Sequence, residues 1–138
     1  MADADTLNML VTGAIWRAEQ LQAQGIRANE AWAEVSSWEE QLACLFPQTD
    51  PEGRIARRGA VRAALKSGDP ERAEALADRY LAEKGTSKEF KAGLREILDD
   101  ATQALANHFP YAAKRYGVRA AQGFARQIKT SGAFGLAA

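Results

Sequence analysis

The chain has 138 residues, with 18 Lys and Arg balancing 18 Asp and Glu, and it contains one His and one Cys. That length suits a single domain able to bury a core without disulfides or a structural metal, and the lone Cys44 excludes an internal disulfide. No apolar run approaches the ~20 residues that cross a bilayer, and Asp3 and Asp5 precede the apolar stretch 7–15 where a secretory signal would be positive. The expectation is a cytoplasmic protein, and the Ala- and Arg-rich usage suggests a bacterial or phage source.

Caps and periodicity predict six helices and no strand, a compact all-α bundle of five to six helices. The first helix is expected over residues 6–24, with Leu7, Leu10, Val11, Ala14, Ala18 and Leu21 on one face. Gly25 followed by Ile26 reads as a glycine stop with an apolar latch. The second is expected from Asn29, read as its N-cap, to residue 46 before Pro47. Its inward stripe is Trp32, Val35, Trp38, Leu42 and Leu45, and Ser37 with Glu40 reads as a capping box that would split it into two shorter helices. Residues 47–53 form the clearest loop.

Asp50-Pro51 and Asp69-Pro70 each pair an N-cap with proline at the first helical position, so they open the third and fourth helices. Gly68 keeps the connection short and predicts an antiparallel hairpin over residues 50–85. The fourth helix should bury Ala73, Leu76, Ala77, Tyr80 and Leu81 and stop at Gly85. Thr86 with Glu89 reads as the capping box of a fifth helix. There Phe90, Leu94, Ile97, Ala101, Ala104 and Leu105 face one side, and Lys91, Arg95, Glu96 and Asp99 the other. Pro110 opens a sixth helix to residue 130. The predicted organisation is one helical domain over 1–130 and a loose tail over 131–138.

Residues 65–76, Leu-Lys-Ser-Gly-Asp-Pro-Glu-Arg-Ala-Glu-Ala-Leu, resemble the middle of a tetratricopeptide repeat, in which a Gly-Asp turn joins two antiparallel helices and Ala sits at their tight crossing. No second copy occurs at the period of about 34 residues that such an array needs, so the segment reads as one helical hairpin. The final Leu136-Ala137-Ala138 resembles the tail that bacterial energy-dependent proteases recognise on tagged substrates.

A catalytic constellation is missing from the sequence. His108 falls on the apolar face at the end of the fifth helix, where it suits a capping role, and one His with one Cys cannot build the usual zinc site. Cys44 sits between core positions without a basic neighbour and reads as an inert thiol. Glu30 and Glu34 share a face, but the Glu-x-x-His signature of metal-binding bundles is missing, as are a Gly-rich phosphate loop and a nucleophile elbow. The expectation is no enzyme, no cofactor, no metal and no small-molecule substrate.

Charge is unevenly placed: net −6 over residues 1–50, +3 over 51–72, −2 over 73–100 and +5 over 101–138. In the sixth helix Arg115, Arg119, Gln122, Arg126 and Lys129 project within a narrow arc, with Tyr111 near its start. Such a row suits phosphates, since each cation replaces a condensed counterion, and an aromatic ring can stack on a base. Arg54, Arg58, Arg62 and Lys66 form a secondary basic face on the third helix, opposite the small residues Ala56, Gly59, Ala60 and Ala63. Helix-turn-helix geometry does not fit, because a turn at Gly85 puts Lys84 and Lys91 where that motif buries apolar groups. Two function classes follow. The first is a non-enzymatic helical interaction module, a small accessory, adaptor or inhibitor protein of phage or mobile-element type, contacting a protein partner or a second copy of itself. The second is a nucleic-acid-binding protein using the basic face of the last helix.

Overall fold

The computed structural model describes residues 2–108. They form an all-α bundle of five helices, α1 (Ala4–Ala23), α2 (Asn29–Leu45), α3 (Pro51–Lys66), α4 (Pro70–Leu81) and α5 (Lys88–His108), with no strand among the described residues. Cα packing divides the described residues into two units, one up to residue 95 and one from residue 96. α1 to α4 and the first turns of α5 belong to the first unit. The sixth helix expected over 110–130 and the tail over 131–138 lie outside the described residues.

α1 starts two residues earlier than its periodicity suggests, because Asp3 caps it: the Asp3 carboxylate accepts from the Thr6 N–H at 2.8 Å. It ends in a Schellman turn. Gly25 adopts φ 69°, its N–H reaches Gln22 O at 3.0 Å, and the Ile26 N–H reaches Leu21 O at 2.8 Å. The backbone latch forms as expected, although the Ile26 side chain is left largely in water. Leu7, Val11, Ala14 and Ala18 are buried, and Leu10 falls just outside the buried arc.

α2 is one continuous helix, not two. The expected Ser37–Glu40 capping box does not form: Ser37 is exposed, while Glu40 pairs with Arg72 and Arg79 of α4 at 2.7 and 2.5 Å. Asn29 is not the cap either. Ala28 holds that position without a side-chain bond, and the Asn29 amide instead donates to Ser67 O at the end of α3 (3.0 Å). A tertiary acceptor outcompetes the local one here. Trp32, Val35 and Leu42 are buried as expected, and Trp38 and Leu45 are half-buried.

α2 packs against both α1 and α3, and α3 against α4. The α2–α3 contact is the most extensive, and the buried side of α3 is built from the small residues Ala56, Ala60, Ala63 and Ala64, all nearly inaccessible. The Ser36 hydroxyl donates to Ala60 O across this seam (2.8 Å) and accepts from Arg72 Nε (3.1 Å), linking three helices through one side chain. Trp32 belongs to a cluster with Ala14, Ala18, Ala28, Ala31, Val35 and Ala63 that joins α1, α2 and α3.

Asp50 and Asp69 cap α3 and α4 as their sequence positions imply, accepting from the Glu52 and Arg72 N–H groups. The turn between the two helices needs Gly68 at φ 79°. α4 ends at Leu81, four residues before the glycine expected to stop it, with Ala82 as C-cap. The α5 N-cap is Ser87 and not Thr86: the Phe90 N–H donates to Ser87 Oγ at 3.1 Å, while the Thr86 hydroxyl turns back to Glu83 O at 2.6 Å. Phe90 and Leu94 are buried and Ile97 and Ala101 are half-buried, but Ala104, expected on the apolar side, is exposed.

One buried cation locks the loops at the far end of the hairpin. Arg57, 6 % exposed, donates to Phe46 O, Gly53 O and Glu83 Oε1 at 2.9, 2.9 and 3.0 Å. Beside it, the buried Gln48 donates to Lys84 O at 2.9 Å. The α2–α3 loop is thereby tied to the α4–α5 connection.

Candidate interaction surfaces

The outward side of α1 carries two large apolar side chains in water, among the exposed polar residues Asp5, Thr12 and Gln20. Met9 is 75 % exposed and Trp16 is 65 % exposed. At 3.6 residues per turn, Met9, Gly13 and Trp16 fall within an arc of about 60°, opposite the buried Leu7–Val11–Ala14–Ala18 stripe, and the two large side chains stand about 10 Å apart along the axis. A Cβ added at Gly13 would meet nothing within 4 Å, so the surface between them is open. Leu10 flanks the patch. Along that border Arg17 pairs with Glu34 of α2 at 2.6 Å, and the other Glu34 oxygen accepts from Trp38 Nε1 at 3.2 Å. An apolar centre of Trp and Met beside a charged rim is the anatomy of a protein contact surface. The sequence reasoning passed over Met9 and Trp16 because it followed the stripe that makes the core. The signal was their i, i+7 placement on the opposite side.

The secondary basic face divides its work. Arg54 Nη1 donates to Gln48 O and Thr49 O at 3.2 and 2.9 Å. The Arg58 guanidinium lies 5.8 Å from the Phe90 ring centroid, and the Lys66 ammonium 4.3 Å from that of Trp32. Arg62 is exposed. Burial, then the neighbouring charges of Arg62 and Arg54, pull the Arg58 pKa below its ordinary value. None of the four makes an ion pair among the described residues.

Tyr111, Arg115, Arg119, Gln122, Arg126 and Lys129 lie outside the described residues, as does the His108 side chain. Cys44 is exposed and not packed between core positions as its place in the pattern suggested. Glu30 is exposed, and its neighbour Glu34 is engaged by Arg17. No group of three or more His, Cys, Asp or Glu is placed to hold a metal ion among the described residues, and no described helix is long and apolar enough to cross a membrane.

Glu40 and Glu39, adjacent on α2, differ sharply. Burial alone would raise Glu40, but hydrogen bonds and charge from Arg79 and Arg72 outweigh it and hold the carboxyl below its usual range. Glu39 is 8 % exposed, has no hydrogen-bond or ion-pair partner among the described residues, and is pushed up to about 7 by burial.

No protein-family model matches this chain, and no curated protein or solved structure does either.

Proposed function

We propose that this chain is a non-enzymatic helical interaction module, an accessory or adaptor protein whose contact surface is the outward face of α1. The observation that carries this reading is the exposure of Met9 and Trp16 on the side of α1 turned away from its own core. Large apolar groups left in water are favourable only when something removes them from it, at roughly 25 cal/mol per Å² of apolar surface covered. Trp is also the residue type most enriched among energetic anchors of interfaces. The rim pair Arg17–Glu34 sets orientation and suppresses wrong partners more than it adds affinity.

The test compares wild type with Met9→Lys/Trp16→Ala by light scattering coupled to size exclusion at low and high salt, and by quantitative affinity capture. Both side chains are exposed, so the double variant keeps the fold. Expected is a second copy or a captured protein held by wild type and lost in the variant, with retention that survives high salt. A monodisperse wild-type monomer with the same capture profile as the variant overturns the reading.

A further inference from the structure

We propose that the outward cation row of α3, Arg58, Arg62 and Lys66 with Arg54 at its edge, binds the phosphate backbone of a nucleic-acid strand. The chain carries equal numbers of cations and anions, and the described ion pairs are formed by Arg17, Arg57, Arg72 and Arg79. Other cations also lack an ion pair among the described residues, but Arg54, Arg58, Arg62 and Lys66 are the ones that follow one another at four-residue spacing along one helix. Their held positions do not come from carboxylates but from two aromatic rings and two loop carbonyls. A ring face restrains a guanidinium without consuming its N–H donors, so Arg58 keeps its fork for an oxyanion. Part of the ordering cost of binding is thus already met in the free protein.

Geometry selects the occupant. Four residues of helix advance about 6 Å and turn about 40° beyond a full circle. The row therefore climbs about 18 Å from Arg54 to Lys66 while winding about 120° around α3. A single small anion would reach one or two of these groups. A flat anionic membrane could touch only part of an arc this wide. A flexible strand with a charge at every unit can cross the helix obliquely and meet each cation in turn. Burial, then repulsion from Arg62 and Arg54, disfavours the charged form of Arg58 in the free protein, and a phosphate chain relieves the repulsive part. This surface is separate from the α1 face and does not depend on it.

The experiment is fluorescence anisotropy of the full chain with a labelled 20-nucleotide single strand and a 20-base-pair duplex, titrated between 50 and 200 mM salt. Arg62→Gln is the decisive variant, since Arg62 is exposed and its loss does not threaten the fold. It should weaken binding about tenfold at the low-salt end and reduce the slope of log K against log salt by about 0.7 on the single strand or 0.9 on the duplex. Arg58→Gln/Arg62→Gln should double the slope change, with a circular-dichroism melt confirming that the chain is folded. Met9→Lys/Trp16→Ala should bind the oligonucleotides as wild type does. Absence of binding at 50 mM salt overturns the proposal. So does binding whose affinity and salt slope are unchanged in Arg62→Gln, which would place the contact elsewhere on the chain. Preference for phosphatidylserine vesicles or a poly-glutamate peptide over both oligonucleotides overturns it as well.

Discussion

Glu39 makes the stability of this fold depend on pH in a direction opposite to that of most carboxylates. Its side chain lies against bare backbone of α3: a Cβ built on Gly59 would stand 2.6 Å from Glu39 Oε1. The carboxyl is 8 % exposed, and burial moves its pKa from 4.5 to about 7. The folded state therefore holds this proton up to higher pH than the unfolded chain does. Stability contributed by the neutral acid is fully present below pH 4.5 and is lost as pH rises through about 7. At about 1.4 kcal/mol per pH unit, that interval corresponds to about 3 kcal/mol. Glu40 has the reverse sign. Its depressed pKa gives stability that is present above the ordinary carboxyl range and lost in acid, so it acts below the window in which Glu39 acts. The perturbation is Glu39→Gln, which keeps shape and removes the charge. Urea unfolding followed by tryptophan fluorescence at pH 5, 6, 7 and 8 should show the wild type losing about 2.5 kcal/mol relative to the variant across that range, the remainder being lost below pH 5. Taking the difference cancels the contributions of the other titrating groups. A difference between wild type and variant that stays constant from pH 5 to 8 would refute the assignment.

Other perturbations test the frame around the proposed surfaces. Gly53→Ala should destabilise by at least about 2 kcal/mol in urea unfolding, although Ala is normally the better helix former, because the new Cβ would lie 2.0 Å from Pro47 O. A neutral or stabilised variant would contradict this close approach. Arg57→Ala should cost about 3 kcal/mol, since it strands Glu83 and leaves the Phe46 and Gly53 carbonyls without their donor. Arg17→Ala, on an exposed pair, should change stability by less than about 1 kcal/mol. Cys44 should react with a maleimide in the native protein within a few-fold of its rate in urea; protection by orders of magnitude would show that it is packed away.

Much of the architecture was legible because it rests on local chemistry. Asp-Pro at 50–51 and 69–70 specifies a cap and a first turn whatever the rest of the chain does, and Gly25 and Gly68 stand where only a positive φ closes the turn. The small-residue face of α3 was legible too, but not that α2 is the helix packed closely on α3. The errors occur where a local cap competes with a distant partner. Asn29 has the right side chain for an N-cap but is drawn to Ser67 O, and Glu40 is drawn from Ser37 to two arginines 32 and 39 residues away. Thr86 and Ser87 are chemically equivalent as caps, and only the backbone path after Glu83 decides between them. The candidate surfaces were less legible. Periodicity finds the face that makes the core, so Met9 and Trp16 were invisible to it, and the long burial of Arg57 and Glu39 depends on packing between helices that no spacing rule encodes.

The neighbours Arg57 and Arg58 show how the fold sorts its cations. One residue of helix turns the side chain by about 100°. On α3 that step separates the arc packed toward the loops from the arc facing out. Arg57 falls on the inner side, where a desolvated guanidinium needs compensating partners; two carbonyls engage its Nη1 and Glu83 its Nε, and the Tyr80 ring lies 5.3 Å from it. Arg58 falls on the outer side with no carboxylate, held by Phe90 between two other arginines. Stability alone gives the fold no reason to crowd like charges there, because an exposed row lacking partners gains nothing from its mutual repulsion. Glutamate at position 62 would pair with Arg58 across one turn and ease the crowding. An arginine at that position disfavours the free protein and favours a phosphate-bound one, so Arg62→Glu should raise stability slightly, by a few tenths of a kcal/mol, while abolishing oligonucleotide binding. A variant that is less stable than wild type and still binds would break the link between the row's electrostatic cost and its proposed use.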